Sequence, residues 1–224
     1  MSGIFPPLCA GILVGGQSRR MGRPKHLLEI DRETLVERGG RVIEPFAEEV
    51  VLLGCPKESN RDREGAGDTR SLRFTQSPPA DCRGSGGTAP PSRRVITDVL
   101  EGGGPIGGML SAHHHRPDAA WLIVACDLPL IRREAVAWLI DRRRPGRIAV
   151  LPRARGEIEP LFAIYEPEGL SALAEFVRQG VLAPRRLAEC ADVSTPDVPL
   201  DLAACWANVN TPREWVDLFS EPRP

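Results

Sequence analysis

Continuous apolar stretches of strand length recur along the 224-residue chain. They predict four buried strands, over residues 8–14, 49–54, 120–126 and 147–151. Helical patterns between and after them predict helices over residues 34–46, 106–112, 134–141, 168–179 and 213–219. Apolar runs without alternation are typical of strands covered by helices on both faces. The order of elements therefore predicts an α/β fold, a three-layer α/β/α sandwich around a mostly parallel, Rossmann-like sheet.

One segment interrupts this alternation. Residues 56–94 contain runs of charged residues, glycine and proline and offer little apolar surface. So little surface cannot offset the entropy lost when a chain becomes ordered. We therefore predict a flexible insertion at 56–94 within a single domain of residues 1–224, with a short edge strand at 71–74 as its one candidate element.

Composition limits the classes of function. Lys+Arg 29 against Asp+Glu 30 gives a net charge of -1, which provides no overall basic field for nucleic acid or an anionic membrane. No stretch approaches the roughly 18 apolar residues of a membrane span, and the N-terminus lacks the basic region of a signal peptide. Six cysteines without a Cys-x-x-Cys pair favour a reducing compartment. We expect a cytoplasmic protein that binds neither nucleic acid nor membrane.

The residues after the first predicted strand carry the most informative chemical signal. Gly15 and Gly16 would let backbone N–H groups approach a ligand at the carboxyl end of a parallel strand. Basic residues follow within the same loop, among them Arg20 and Lys25, and would suit a polyphosphate. The spacing is neither a Walker A loop nor GxGxxG. From spacing alone, a glycine-rich turn with solvated arginines is an equally good interpretation.

Two aspartates lie where a phosphate site would need them. Asp127 directly follows the strand of residues 120–126, so its carboxylate would reach the crevice and suit Mg²⁺. A helix cap or turn is the alternative for Asp127. Asp98, just before three glycines, could contact a ligand or a metal, or could cap the helix of residues 106–112. Gly107, at the start of that helix, would allow a ligand to approach the backbone closely.

The asparagines near the C-terminus have competing interpretations. Asn210 could supply an amide oxygen to a metal or contact a phosphate, but an asparagine before Thr-Pro is also an ordinary helix entry. Asn208 competes with Asn210 for whichever role is real.

Five segments, in order, resemble one family. Residues 13–25, LVGGQSRRMGRPK, resemble the LxGGxSxRMGxxK loop of the GT-A-like nucleotidyltransferases, and most of all that of the molybdenum cofactor guanylyltransferases. Asp98 with GPIGG at 104–108 resembles the D…GPLxGI element, and ACDLP at 125–129 resembles the metal-binding CDxP. EPL at 159–161, with Tyr165 beyond, resembles a substrate-side element, and NVNTP at 208–212 resembles NxNTP. The resemblance covers nearly the whole chain except the insertion.

The resemblance implies a GT-A-like nucleotidyltransferase fold and an Mg²⁺-dependent enzyme. Its reaction would transfer GMP from GTP to Mo-molybdopterin, releasing pyrophosphate and forming the guanine dinucleotide cofactor. Molybdoenzyme apoproteins or their chaperones would be further partners. The nucleotide-binding residues implied are Leu13, Gly15, Gly16, Lys25, Asp98, Gly107 and Asp127; the catalytic ones are Arg20, Lys25 and Asp127; the metal ligands are Asp127 and Asn210.

Two alternative functions stay open. Gly15-Gly16 favours GTP, because related cytidylyltransferases usually carry Ala-Ala there, but the ending Arg23-Pro24-Lys25 is equally like theirs. Gly54-Cys55 also stands where the guanylyl family often has a base-contacting asparagine. A molybdopterin cytidylyltransferase, or another small-metabolite nucleotidyltransferase, is therefore the first alternative. A non-catalytic cofactor-binding or delivery protein is the second.

Three clusters of histidine or arginine each have a functional and a non-functional interpretation. Adjacent helical histidines point in different directions, so we expect His113–His115 to be an exposed helix end and not a metal site. Arg142–Arg144 follow a predicted helix and should be solvated beside its C-terminal dipole. Arg185 and Arg186 are candidates for contacts with an anionic acceptor.

Overall fold

The computed structural model describes residues 5–14, 28–54, 93–100 and 103–220, with the side chains of residues 219 and 220 left aside. Most of the predicted insertion, including the candidate strand at 71–74, lies outside the described residues. So does the glycine-rich loop at 15–25.

Strands and helices alternate along the described chain. The strands are β1 (Leu8–Leu13), β2 (Glu29–Ile30), β3 (Glu33–Thr34), β4 (Val50–Leu53), β5 (Val95–Ile96), β6 (Ala120–Ala125), β7 (Ala149–Val150), β8 (Arg153–Ala154), β9 (Glu157–Ile158), β10 (Phe162–Tyr165) and β11 (Val193–Ser194). The helices are α1 (Leu35–Ile43), α2 (Pro105–His115), α3 (Arg133–Ile140), α4 (Pro167–Arg178) and α5 (Pro212–Ser220). Short 3-10 helices cover Glu44–Phe46, Pro184–Glu189 and Ala203–Trp206.

The central sheet has the strand order β11-β7-β10-β6-β1-β4-β5. β1 lies parallel to both its neighbours, with Ala10 opposite Val50 on β4 and Leu122 on β6. β5 continues the parallel set beside β4, and β11 pairs in parallel with β7. β10 alone in this sheet, within the described residues, runs antiparallel to its neighbours β6 and β7. The prediction of a mostly parallel sheet is confirmed.

The reversed strand β10 follows from a tight hairpin that the sequence analysis did not predict. β8 and β9 pair antiparallel around Arg155 and Gly156, which have φ angles of 52° and 83°. Positive φ at both central residues is the geometry of the two-residue turns that match the twist of a hairpin. The chain therefore returns toward β7 in the opposite direction, and β10 enters the sheet reversed.

Residues of the sheet bury opposite faces against different helices. Ile12, Leu122 and Val124 on one face pack in a single cluster with residues of α1 and α3. Trp121 and Ile123 on the other face pack with residues of α2 and α4. Side chains alternate between the faces of a strand, so a continuous apolar run feeds both layers. This is the three-layer arrangement expected from the sequence.

The first helix shows how local chemistry sets its ends. Thr34 caps it, since the hydroxyl accepts the Glu37 N–H at 3.2 Å and the Glu37 carboxylate accepts the Thr34 N–H at 2.8 Å. Such a reciprocal pair satisfies two of the donors that a helix start leaves open. The α-helix ends at Ile43 and a 3-10 turn follows over Glu44–Phe46, where Pro45 lacks the N–H that the helix would need.

The arginine run after α3 corrects one prediction. Arg143 is buried, and its Nε and Nη2 atoms donate to the two Glu166 carboxylate oxygens at 2.7 and 2.8 Å. Nη2 also lies 3.2 Å from the Pro6 carbonyl oxygen. The expected solvation of the whole run is therefore wrong. Arg143 ties the end of α3 to the start of α4 and to the chain that leads into β1, because a paired charge can be buried.

The histidines at the end of α2 also differ from the prediction. His115 Nε2 lies 3.1 Å from a Glu49 carboxylate oxygen, and His113 Nε2 lies 3.2 Å from the Ser171 hydroxyl on α4. Burial lowers the pKa of His113. Only His114 is exposed as expected. None of the described helices combines the length and apolar character that a membrane crossing needs.

Glu166→Gln should destabilise the fold by about 3–5 kcal/mol, because it leaves the buried Arg143 cation without its counter-charge. Glu175→Gln is the matched control, since Glu175 pairs with Arg178 at the surface, and it should cost less than about 1 kcal/mol. Urea unfolding at pH 7 measures both. Equal losses would mean that Arg143 and Glu166 do not hold the layers together.

Candidate nucleotide site

The carboxyl ends of four parallel strands meet at one edge of the sheet. The ladder continues past their last residues: Cys126 N–H donates to Leu13 O at 3.1 Å, and Val14 N–H donates to Leu53 O at 2.9 Å. Leu13, Asp98 and Asp127 therefore lie at or just beyond the same edge, where open α/β sheets bind ligands. Gly15, Gly16, Arg20 and Lys25, which follow β1 in the sequence, lie outside the described residues.

The helix α2 approaches this edge closely, through two glycines. A Cβ at Gly108 would lie 2.6 Å from Leu13 Cδ2 and 3.2 Å from Leu53 Cβ. A Cβ at Gly107 would lie 3.0 Å from the Leu100 carbonyl oxygen. Glycine at 108 lets α2 rest on the ends of β1 and β4, and glycine at 107 lets it rest on the loop that carries Asp98 and Leu100. The prediction that Gly107 permits a close backbone approach by a ligand stays a prediction. Within the protein, the missing Cβ already lets the helix pack closely against Leu100.

Asp98 lies against those same turns. Its Oδ2 and Oδ1 atoms would be 3.4 and 3.5 Å from Cβ atoms built at Gly107 and Gly108. Oδ1 is buried and has no hydrogen-bond partner among the described residues. Burial raises the pKa of Asp98 to about 6. Asp98 does not cap the helix, because the cap residue is Gly104 and no side chain bonds there.

Ser111 fixes the chain that carries Asp98, and the sequence analysis missed it. Its buried hydroxyl accepts the Val99 N–H at 2.8 Å and donates to the Gly107 carbonyl at 2.9 Å. A single mid-helix serine carries no chemical signal, because such residues usually face solvent or bond to their own helix. Here the second bond reaches the neighbouring loop. The position of Asp98 relative to α2 therefore depends on Ser111.

Asp127 is joined to the C-terminal segment by the backbone. The Val209 N–H donates to the Asp127 carbonyl at 3.0 Å, which places the flanking asparagines beside the end of β6. Asp127 occupies a turn, and α3 begins only at Arg133, so Asp127 is not a helix cap. Thr211 provides the side-chain contact at the start of α5, where its hydroxyl accepts the Glu214 N–H at 3.2 Å. Asn210 contributes its backbone N–H to Glu214 at 2.7 Å.

The residues expected to hold Mg²⁺ have suitable chemistry. Asp127 offers a carboxylate and Asn210 an amide oxygen, and hard oxygen donors are what Mg²⁺ prefers. Within the described residues, no group of three or more His, Cys, Asp or Glu side chains could hold a metal. Mg²⁺ commonly takes only one or two protein ligands and completes its shell with water and substrate phosphate. Asp127 and Asn210 fit such a site.

The substrate-side EPL segment and Tyr165 are linked directly. The Tyr165 hydroxyl, on a fully buried ring, donates to the Pro160 carbonyl at 2.7 Å. This bond holds the segment before β10 in place. Arg185 and Arg186 are elsewhere: they lie on the 3-10 helix that packs against β11, three strands from β6 in the sheet. Arg186 pairs there with Glu189 at 2.9 Å.

The chain matches a model of the MobA-like NTP transferase domain over residues 10–193. A probable molybdenum cofactor guanylyltransferase of Pelotomaculum thermopropionicum is 30% identical over 210 residues, which cover 92% of this chain and 88% of that protein. A probable molybdenum cofactor guanylyltransferase of Opitutus terrae is 31% identical over 193 residues, 83% of this chain and 80% of that protein.

Solved structures agree on the fold. Molybdopterin-guanine dinucleotide biosynthesis protein A from Archaeoglobus fulgidus superposes with a TM-score of 0.63 at 21% identity, covering 92% of this chain and 93% of that chain. A 2-C-methyl-D-erythritol 4-phosphate cytidylyltransferase from Thermus thermophilus gives 0.59 at 14% identity, covering 97% of this chain and 98% of that chain. The expected nucleotidyltransferase fold is confirmed.

Gly108→Ala should destabilise the protein by about 1–3 kcal/mol, because the new methyl group overlaps Leu13 and Leu53. Gly39→Ala is the matched control in α1: its Cβ would meet only Ile12 Cδ1, at 3.9 Å. That change should stabilise by about 0.5–1 kcal/mol, as replacing a glycine inside a helix does. Urea unfolding measures the sign of the change in the free energy of unfolding for both variants. A neutral Gly108→Ala would mean that α2 can move away from the strand ends.

The raised pKa of Asp98 makes stability fall as pH rises. Between about 3.8, the ordinary value, and about 6, the folded protein holds the Asp98 proton more tightly than the unfolded chain does. Asp98→Asn removes this penalty, so its stabilisation should be larger at pH 7.5 than at pH 4. We expect a difference of about 1 kcal/mol, reduced by partial solvent screening. Unfolding curves at the two pH values measure it, and equal effects would contradict the buried carboxyl.

Proposed function

The chain belongs to the MobA-like NTP transferase family, and we propose that it transfers GMP from GTP to Mo-molybdopterin in an Mg²⁺-dependent reaction. It is a nucleotidyltransferase of molybdenum cofactor biosynthesis. The reaction would release pyrophosphate and form the guanine dinucleotide cofactor, and molybdoenzyme apoproteins or their chaperones would receive it. Leu13, Asp98, Gly107, Asp127 and Asn210 would form the described part of the site.

The observation that carries this proposal is the buried Oδ1 atom of Asp98, which has no hydrogen-bond partner within the part of the chain that the structure describes. A buried acceptor without a partner is costly, and native proteins rarely leave one unsatisfied. Asp98 lies beside the first turns of α2 at the ends of parallel strands, which is where nucleotides bind in open α/β sheets. A ribose hydroxyl of the nucleotide would donate to this oxygen.

The chemistry needs positioning and charge neutralisation more than a covalent catalyst. A phosphate oxygen of the acceptor forms a bond to the α-phosphorus, and the bond from that phosphorus to pyrophosphate breaks. The acceptor phosphate is already an anion, so no base has to activate it. Negative charge grows on the α-phosphoryl oxygens and on the leaving pyrophosphate, which fixed cations stabilise.

Each charged residue would have a distinct task. Lys25 is a point charge that can follow the moving phosphoryl group, whereas Arg20 would hold a phosphate in a planar fork. Asp127, with Asn210 beside the same strand end, would hold Mg²⁺. When bound, Mg²⁺ supplies further positive charge to the phosphate oxygens.

The identity of the nucleotide base is the part of the proposal for which a specific alternative stays open. Gly54, at the end of β4, has a φ of 79°, a conformation that favours glycine. Glycine at position 54 therefore satisfies a backbone requirement, and it offers no side chain that could contact a nucleotide base. A cytidylyltransferase remains the alternative that direct assay must separate.

Purified protein with Mg²⁺ and Mo-molybdopterin should incorporate GMP from GTP and release pyrophosphate, and should incorporate little CMP from CTP. Chromatography of the dinucleotide product measures both. Incorporation from CTP alone would contradict the guanylyl assignment and leave the enzyme class intact.

Asp127→Ala should lower the transfer rate about a hundredfold or more, which is the scale of losing preorganised charge stabilisation. Asp201→Ala is the control, because the Asp201 side chain is exposed and the substitution keeps the backbone carbonyl that accepts a bond from Arg132. Excess EDTA should reproduce the Asp127→Ala loss in the unsubstituted protein. A full transfer rate in Asp127→Ala would contradict the catalytic role of Asp127, whereas no transfer by the unsubstituted protein would instead support a binding or delivery protein.

A further inference from the structure

The turn that carries Asp127 is held from outside at two of its carbonyl groups. The Val209 N–H donates to the Asp127 carbonyl at 3.0 Å, and Arg38 Nε donates to the Pro129 carbonyl at 3.0 Å. Val209 belongs to the C-terminal segment, whereas Arg38 lies on α1, 91 residues before Pro129. Of these two donors Arg38 is the charged one, and a charged donor makes the stronger hydrogen bond.

Pro129 makes the turn depend on such outside partners. Proline has no N–H, so position 129 cannot donate a hydrogen bond to the turn itself. Leu128 and Pro129 are buried, and the bond from Arg38 is partly buried as well. Removing the guanidinium would take this donor from the Pro129 carbonyl, which costs free energy unless the turn moves. The backbone next to Asp127 should therefore respond to the loss of Arg38.

The helix α1 also holds the chain that follows the glycine-rich loop in the sequence. Leu28 stands three residues after Lys25. Its carbonyl accepts the N–H of Leu35, the first residue of α1, at 2.9 Å. Arg38 follows Leu35 by three residues, which is less than one turn of helix. The start of α1 thus connects the chain at Leu28 with the Asp127 turn.

The segments that supply the two outside donors also pack together. Leu28, Ile30 and Leu35 form a buried cluster, and Trp215 on α5 packs against it. Val209 lies shortly before α5 in the sequence. The start of α1 and the C-terminal segment are therefore fixed relative to each other, and both bond to the Asp127 turn.

The acidic neighbour of Arg38 does not depend on it. Glu33 lies 3.9 Å from Arg38 Nη1, but Arg41 already donates to both Glu33 carboxylate oxygens, at 2.7 and 2.8 Å. The Arg38 side chain is 24% exposed, against 55% for Arg41. Removing Arg38 therefore leaves Glu33 paired at the surface. The bond to Pro129 is the contact that is lost.

We propose that Arg38 is a positioning residue for the metal site: by holding the turn at Pro129, it sets how well Asp127 binds a divalent cation. The inference rests on the proposed function, in which Asp127 holds Mg²⁺. Groups that orient a metal ligand without touching the metal commonly change metal affinity by about 10–100-fold. Arg38 acts through the backbone of the turn and needs no contact with either substrate.

Calorimetry of GTP binding in the absence of the acceptor tests this proposal, once with Mg²⁺ and once with EDTA in its place. The ratio of the two affinities measures what the metal adds to binding. Arg38→Gln should lower this ratio about tenfold, because the turn that carries Asp127 loses its charged donor. The affinity for GTP in EDTA should stay the same, which also verifies that the variant folds.

Arg41→Gln is the matched control, since it removes the same charge from the same helix and leaves the Pro129 bond in place. It should not change the ratio. Arg38→Lys keeps the charge but moves the donor from Nε to Nζ, so its ratio should be intermediate. If Arg38→Gln fails to fold, Arg38→Lys provides the comparison with Arg41→Gln.

A double variant separates positioning from a general loss of structure. In an Asp127→Ala background, Arg38→Gln should not lower the ratio further, because the group that Arg38 positions is gone. An unchanged ratio in Arg38→Gln, a loss of equal size in Arg41→Gln, or a further loss in the Asp127→Ala background would each overturn the proposal. A ratio that Asp127→Ala itself leaves unchanged would count against the proposed function.

Discussion

The approach of α2 to the carboxyl ends of β1 and β4 is the constraint on which the site depends. A methyl group at Gly108 would force the Leu13 side chain to shift and would press on Leu53 Cβ. This contact sets where the first turns of α2 lie, and Ser111 then sets where the Asp98 loop lies against them. The start of α2 therefore lies close to both the buried Asp98 carboxyl group and Leu13, the last residue of β1. Relaxing the contact would separate all three.

β6 has neighbours of opposite direction at the edge where Asp127 lies. β1, which ends at Leu13, runs parallel to it on one side, and β10 runs antiparallel to it on the other. Asp127 follows the end of β6 between these two neighbours. The reversed direction of β10 matters here, because the chain enters the sheet at this same edge and Glu159 precedes the strand there. A parallel strand would present its last residue there instead.

Much of the architecture could be predicted from the sequence, since continuous apolar runs over residues 120–126 and 8–14 are long and have few other interpretations. β10 was missed because it has four residues and follows a hairpin whose turn depends on Arg155 adopting positive φ. The burial of Arg143 could not be predicted either, because it depends on Glu166, 23 residues away in sequence and met only through folding. In the site, Asp98 and Asp127 were suggested by motifs. The role of Ser111 depends on contacts that form only on folding.

The central place of β1 has a consequence for how the protein is made. The ribosome releases β1 first, and its partner β4 soon afterwards, but β6 emerges more than a hundred residues later. At ordinary rates of synthesis the second edge of β1 stays open for on the order of ten seconds. An open apolar strand edge is a template for wrong pairing. The nascent chain must therefore either be shielded by other factors or delay the folding of β1 until the middle of the sequence has been translated.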